Sequence, residues 1–153
     1  MRTKKRSISI GLFRALWGYL HMTLSGLFER LGAPLNNPRW SWGSVRDSDG
    51  VIFLRVWQDG SKKIGSKRYI WVFDEGLQSS SLGADERLRH TRQLQAGCPC
   101  YLVMCEAVDT SAAVRAVRGF NKNEVFEAGE LVLLDGVYRL ELKRRVNAIG
   151  LFI

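Results

Sequence analysis

Aliphatic side chains occupy every second position in two short stretches of the chain, residues 52–56 and 70–72. Because successive side chains of a β-strand point to opposite faces, both stretches are predicted to be strands with one aliphatic face. The intervening and flanking positions carry aromatic or cationic side chains, namely Phe53, Arg55, Trp57, Tyr69, Trp71 and Phe73. We therefore predict a two-faced sheet, with an aliphatic core on one side and an aromatic, partly cationic surface on the other.

Further strands are predicted on both sides of these two. Residues 47–50 and 59–60 carry turn signals of the Asp-Gly kind, and residues 59–67 read as a long, polar and basic loop. Residues 101–108 are almost continuously apolar, which predicts a central strand buried on both faces. Near the C-terminus, residues 131–134 and 137–145 flank an Asp-Gly pair and predict a hairpin.

Helices are predicted in three places. Apolar residues between 13 and 31 recur at helical spacing, and Gly32 and Pro34 mark the end of the helix. An alternative is a short helix capped by Thr23 or Ser25, with the preceding residues as an upstream extension. Residues 84–96 are strong helix formers, and Asp109 begins a short helical turn predicted to reach residue 118.

Six or seven strands and two or three helices predict an α+β fold. Because neighbouring strands are mostly joined by turns, we expect a mostly antiparallel curled sheet or half-open β-barrel. It would carry an N-terminal helix and one or two further helices. The chain divides into a basic amphipathic helical segment, residues 1–33, and a single α+β domain, residues 34–153. Within the first segment, residues 1–21 are a candidate extension.

Charge narrows the classes of partner. The 153 residues contain 23 Lys and Arg against 15 Asp and Glu, for a net charge of +8. This balance favours polyanions such as nucleic acid or a lipid surface. Five of the basic residues and no acidic residue lie in residues 1–21, so the remainder carries only +3. No apolar run approaches the roughly 20 residues of a membrane span.

Two groups of residues are candidates for metal sites, the three cysteines for zinc and the strand with Glu141 for magnesium. Cys98, Cys100 and Cys105, with His90, lack the paired spacing of a zinc site, so we predict core thiols. The odd number and clustering of the cysteines indicate a reducing, cytoplasmic compartment. Glu141 and Lys143 match half of a magnesium-dependent nuclease motif, with Asp135 nearby. Charge pairs on a solvated strand explain that pattern more simply, and nuclease activity stays an alternative.

The sequence contains more candidate residues for binding nucleic acid than for catalysis. Unpaired bases stack on aromatic rings while Arg and Lys contact phosphates. The candidate residues for these contacts are Trp40, Trp42, Arg55, Trp57, Arg68, Tyr69, Trp71, Arg89, Arg92 and Arg118. The competing interpretation is that the aromatic face is ordinary core under a packed helix.

The order of elements over residues 38–145 resembles the PUA-like barrels. The resemblance rests on the Trp-Ser-Trp start at residues 40–42, the strands rich in Trp and Arg, the following helix, the apolar strand and the closing hairpin. This family includes EVE-type and SRA-type readers of modified bases, found alone or fused to HNH restriction nucleases. The resemblance implies a pocket between aromatic walls. Its implied residues are Trp42, Trp57 and Tyr69, with Asp109 as an acceptor for a base edge.

The sequence therefore predicts a non-catalytic nucleic-acid-binding domain without cofactor or metal, with DNA preferred over RNA. We expect it in a cytoplasmic, restriction-modification type of setting. Because the chain has no HNH motif, cleavage would need a partner nuclease. The first alternative is a protein-interaction or accessory module with the aromatic side chains as core. The second alternative is a nuclease that uses Glu141 and Lys143.

Overall fold

The computed structural model describes residues 2–76 and 81–153, and of residues 2–9 it describes the backbone only. The helices in this part of the chain are α1 (Arg2–Leu20), α2 (Leu24–Arg30) and α3 (Leu82–Gln95). Across the same residues, no helix has the length and apolar character needed to cross a membrane.

Eight strands form one mixed sheet in the described residues. They are β1 (Gly43–Val45), β2 (Ile52–Trp57), β3 (Ser61–Ile64), β4 (Lys67–Asp74), β5 (Cys100–Ala107), β6 (Val117–Phe120), β7 (Glu124–Leu134) and β8 (Val137–Asn147). The order is β1-β2-β5-β7-β8-β4-β3, and β6 pairs with β5 beside this path. All pairs are antiparallel except β2 with β5. The α+β class and the predominance of antiparallel pairs are confirmed, and the sheet is not closed.

The aliphatic face predicted from the alternation is confirmed as core. Ile52 and Leu54 of β2, Ile70 of β4 and Leu102 of β5 are completely buried in one cluster. Leu94 of α3 is buried in the same cluster. Burial of each such side chain stabilises the fold by roughly 1.5–3 kcal/mol, so this cluster holds α3 against the sheet.

The opposite face is only partly the exposed aromatic surface that the alternation predicts. Phe53 is completely buried in a second cluster with Phe28 of α2 and Val103 of β5. Tyr69 is also buried, and Phe73 joins the first cluster. The register between β4 and β8 shifts after Trp71, and this irregularity explains why Phe73 departs from strict alternation.

Three predicted local elements are wrong. The single helix over residues 13–31 is two helices, and Thr23 caps the second by accepting a hydrogen bond from Gly26 N, as the alternative predicted. The predicted loop over residues 59–67 contains β3, which turns into β4 at Gly65 with φ of 63°. The short helix after Asp109 is absent from this described stretch, which runs irregularly into β6.

The C-terminal segment packs against the second cluster, in which Ala148 is buried and Leu151 and Phe152 are partly buried. β7 and β8 pair from the turn at Asp135 and Gly136, both of which have positive φ, to Glu124 and Asn147, with two register shifts near Ala128, and this confirms the hairpin. Arg46 is buried beside this region and donates to the carbonyls of Leu31 and Leu151 at 2.9 and 2.8 Å. The helical and C-terminal segments are therefore fastened to the same side of the sheet.

A gap remains where the sheet is open, between the second halves of β2 and β4, and we call it the seam. Arg87 of α3 spans the seam. Its Nη2 donates to the Arg55 carbonyl of β2 at 2.7 Å, and its Nη1 donates to the Val72 carbonyl of β4 at 2.7 Å. A third bond joins Nη2 to the Trp42 carbonyl at 3.0 Å. One guanidinium thus replaces part of the strand pairing that the open sheet lacks.

Substitution of Arg87 tests this bridge. Arg87→Met removes the guanidinium donor from the Val72 and Arg55 carbonyls, whereas the Trp42 carbonyl still accepts from Arg55 N at 2.9 Å. We therefore expect a loss of about 2–4 kcal/mol in the free energy of unfolding. Arg89→Met, an exposed arginine on the same helix, should change it by less than about 0.5 kcal/mol. Urea unfolding followed by circular dichroism measures both. Equal stability of the two variants would contradict the bridging role.

Candidate ligand-binding cavity

Four of the five tryptophans meet in one cavity of about 1100 Å³ beside the seam. We call it the tryptophan cavity, and its aromatic members are Trp40, Trp42, Trp57 and Trp71. All four rings are half-buried. Aromatic side chains with one accessible side are suited to hold a ligand, whereas fully buried rings would only fill a core.

The sheet and α3 each position two of these rings. Trp57 ends β2, and Trp71 lies in β4 on the other side of the seam. Glu86 of α3 accepts hydrogen bonds from Trp42 N at 2.8 Å and from Ser41 Oγ at 3.0 Å. These bonds fix the segment that carries Trp40 and Trp42 against the helix.

The first turn of α3 forms part of the cavity wall because it carries a glycine. A Cβ added at Gly83 would lie 2.5 Å from Trp42 Nε1 and 2.7 Å from the Trp40 carbonyl oxygen. No real Cβ is accommodated at such distances, so only glycine allows the indole of Trp42 to pack on the helix. Gly83 and its neighbour Leu82 both line the cavity.

Cations surround the rings. Arg115 lies over the Trp57 ring at 5.6 Å and forms an ion pair with Asp59 at 2.7 Å. Arg87 lies over the Trp42 ring at 5.5 Å. Among the described residues that line the cavity there is one carboxylate, that of Asp59, and there are six cationic side chains: Arg39, Arg55, Lys62, Arg87, Arg115 and Arg139.

Burial strengthens the field of these charges. Desolvation lowers the pKa of Arg87 to about 10 and also lowers the pKa of Arg55. With the pKa of Arg87 at about 10, its guanidinium remains charged at neutral pH, in a setting of lower dielectric constant than water. Nε of Arg87 is buried and has no hydrogen-bond partner among the described groups. The cavity therefore favours a ligand that is both planar and anionic, and it disfavours a cation.

The structure brings together five of the residues that the sequence singled out. Trp40, Trp42, Arg55, Trp57 and Trp71 all line the tryptophan cavity. Trp42 and Trp57 are also two of the three wall residues that the PUA-like resemblance implies. The pairing of Trp71 with Arg139 across β4 and β8 adds a cation directly beside one ring.

The other predicted residues lie elsewhere. Tyr69 is buried and its hydroxyl donates to Glu130 at 3.2 Å. The Asp109 carboxylate accepts two hydrogen bonds from Ser111, one from the backbone N–H and one from Oγ, and it does not line the cavity. The remaining predicted cations are exposed and outside the cavity, and these are Arg68, Arg89, Arg92 and Arg118.

Several residues that line the cavity, and Glu86, which holds the segment with Trp42, were not predicted from the sequence. Glu86 and Arg87 are charged residues at buried positions of α3, three residues after Gly83 and Ala84. A charge on the buried stripe of a helix is the signal that would have marked them. Arg39 carries no comparable signal in the sequence. The position of Arg139 beside Trp71 follows from the register between β4 and β8, and that register cannot be read from the periodicity of the sequence.

Glu141 and Lys143 lie in a second cavity of about 930 Å³, together with Lys67 and Arg68. The Glu141 carboxylate pairs with Lys67 at 3.3 Å and accepts the Glu130 N–H at 3.2 Å. Asp135 lies in the turn before β8, six residues from Glu141 in sequence. No group of three metal-ligating side chains occurs within residues 2–76 and 81–153.

The cysteines are buried or half-buried thiols in the described structure. Cys100 and Cys105 are buried, and burial raises the pKa of Cys100 to about 12 and that of Cys105 to about 11. His90 is buried as well, and burial with the nearby Arg87 charge lowers its pKa to about 4. A neutral imidazole and protonated core thiols match the prediction of core cysteines.

Searches with this chain against protein-family models, curated proteins and solved structures find no match. The class that the sheet, the seam and the tryptophan cavity define is an open, mixed α+β sheet with a cationic aromatic cavity.

The close approach at Gly83 gives a test of the cavity wall. Gly83→Ala should displace Trp42 and destabilise the protein by about 1–3 kcal/mol, although alanine is the better helix former. Gly11→Ala is the matched control, because Gly11 is also helical and has nothing within 4 Å of an added Cβ. That control should be neutral or slightly stabilising. Thermal unfolding and tryptophan fluorescence measure the two effects. A stabilised Gly83→Ala variant would contradict the packing.

Thiol accessibility tests the assignment of the cysteines. In the folded protein at neutral pH, an aromatic disulfide reagent should modify Cys98, which is half-buried, and leave Cys100 and Cys105 unmodified. In denaturant all three should react. Rapid modification of Cys100 or Cys105 in the native state would show that these thiols are not core.

Proposed function

We propose that this chain is a non-catalytic nucleic-acid-binding domain that holds an unpaired or flipped base in the tryptophan cavity. The observation that carries the proposal is the meeting of four tryptophans and six cations in one cavity. Stacking on the rings supplies affinity for any base, and the arginines supply contacts to phosphate or to base edges.

The size and charge of the cavity support a nucleotide over other planar ligands. A volume of about 1100 Å³ is at the upper end of small-molecule sites and accommodates a base with its sugar and phosphate. Aromatic cages that bind quaternary ammonium groups use the same rings, but they would face repulsion from the six cations here.

The charge of the β3–β4 hairpin favours a nucleic-acid strand as the ligand over a free nucleotide. It carries the exposed cations Lys62, Lys63, Lys67 and Arg68. Lys62 lines the tryptophan cavity, and Lys67 and Arg68 line the second cavity, so the hairpin joins the two. Phosphates flanking a bound base would meet this row, which gives affinity without sequence information.

The PUA-like kinship belongs to the same proposal. An open sheet with an aromatic cavity is compatible with the modified-base readers that the sequence resembles. A preference for DNA, a cytoplasmic setting and recruitment of a partner nuclease are proposed with it. The odd number and clustering of Cys98, Cys100 and Cys105 favour the cytoplasmic part.

The protein-interaction alternative has one specific observation in its favour. Leu82 and Val114 are 60% and 92% exposed, and both line the same cavity, where they add apolar surface. A peptide with an apolar side chain would cover them as well as a base would. The binding experiment therefore includes outcomes for both classes.

Fluorescence anisotropy with labelled oligonucleotides at low salt tests the proposal. Single-stranded DNA, matched duplex, duplex with one mismatch and duplex with one methylated cytosine are titrated separately. We expect the mismatched or modified duplex and the single strand to bind more tightly than the matched duplex. Trp71→Ala and Trp40→Ala should each weaken binding by about 1–3 kcal/mol, or roughly 5- to 150-fold in Kd.

Trp17→Ala is the matched control, because Trp17 lies on α1 outside the cavity and is 55% exposed. It should leave the Kd unchanged. Because Trp40 and Trp71 are half-buried, circular dichroism checks that each variant keeps its fold. If no oligonucleotide binds at low salt, the proposal is refuted and the protein-interaction module remains as the alternative. Binding that is unaffected by Trp40 and Trp71 would place nucleic acid elsewhere on the surface.

A further inference from the structure

Helix α1 carries a stripe of exposed apolar side chains that no part of the described chain covers. Each is more than half exposed, and they are Ile10, Leu12, Phe13, Leu16, Trp17 and Leu20. At about 100° per residue, these positions fall within an arc of roughly 160° on the helix. Monomeric proteins seldom leave such a contiguous apolar patch in water.

The same segment is basic. Residues 1–21 contain Arg2, Lys4, Lys5, Arg6 and Arg14, and they contain no acidic residue. Segments that combine an apolar helical stripe with an excess of Lys and Arg bind at the boundary between lipid headgroups and acyl chains. The stripe contains Trp17 and Phe13, and tryptophan is enriched at that boundary.

The helix is joined to the body without using its stripe side chains. The Tyr19 hydroxyl donates to Asn123, and Lys122 Nζ donates to the carbonyl of Leu20 at 2.8 Å. Lys122 also lies over the Tyr19 ring at 5.4 Å. These contacts fix the end of α1 to the turn before β7, and the apolar side chains stay accessible.

We propose that α1 is an interfacial helix that attaches this protein to an anionic lipid surface. The charge selects this partner over the others. A second copy would bring the same acid-free, cationic segment against its like, which repels. A nucleic acid would neutralise the cations and leave the apolar stripe in water. The helix is not long and apolar enough to span a bilayer, so the stripe lies in the interface plane.

Vesicle co-sedimentation of the full chain tests the proposal. Vesicles of phosphatidylcholine alone are compared with vesicles that also contain phosphatidylglycerol. We expect the protein to sediment with the anionic vesicles and to bind the neutral ones more weakly. The double substitution Phe13→Ser with Trp17→Ser keeps the charge and removes two large apolar groups. It should lower the partition coefficient at least about tenfold.

The matched control is Leu133→Ser with Leu134→Ser on the β7–β8 hairpin. Both leucines are large and exposed, at 47% and 48%, so the control removes a comparable apolar surface far from α1 in the sequence. It should bind vesicles like the unaltered chain. Because all four substituted side chains are exposed, the fold should be retained in both variants.

Three outcomes would overturn the proposal. The full chain does not sediment with anionic vesicles at low salt, or the Phe13 and Trp17 variant sediments as well as the control. The second result would mean that the net charge alone attracts the lipid. The third is a dimer in size-exclusion chromatography with light scattering, formed without lipid and lost in that variant, which would assign the stripe to a second copy.

Discussion

The open sheet depends on one buried guanidinium. Arg87 donates to carbonyls of both β2 and β4, which have no ladder between them in the described chain. Burying a charge costs several kcal/mol unless its hydrogen bonds are made, and three of them are made here. The neighbouring Glu86 is buried too and binds the segment before β1. Two charged residues in sequence thus join α3 to three separate pieces of backbone.

This arrangement explains why the tryptophan cavity lies where it does. A closed sheet would satisfy the carbonyls at the seam by strand pairing and would leave no room between Trp57 and Trp71. Because a side chain bridges the gap instead, the rings of both strands face an opening. The same helix supplies Gly83, against which Trp42 packs. Residues of α3 therefore stabilise the fold and shape the cavity at the same time, so substitutions in α3 should affect both.

Local patterns in the sequence were sufficient for the parts of the fold that depend on neighbours in sequence. Alternation gave the core face of β2 and β4, and an Asp-Gly pair gave the β7–β8 hairpin. The rest depends on contacts between distant residues. The shift after Trp71 that buries Phe73 is set by β8. The role of Arg87 is set by carbonyls in β2 and β4. The tryptophans do line one cavity, and alternation along the strands had already placed Trp57 and Trp71 on one face. No comparable pattern indicated where the arginines of α3 would lie relative to that face.

The single parallel pair has a consequence for the order in which the chain folds. The β3–β4 and β7–β8 hairpins close between residues that are near in sequence, and such contacts form quickly. Pairing of Ile52 with Cys100 closes a loop that contains β3, β4 and α3, which costs more chain entropy. Arg87 reaches the seam only after α3 has docked. We infer that the seam and its tryptophan rings assemble late in folding. Until then, a partly folded chain exposes the apolar strands β2 and β5. Two such chains can associate through these strands, so slow folding favours aggregation.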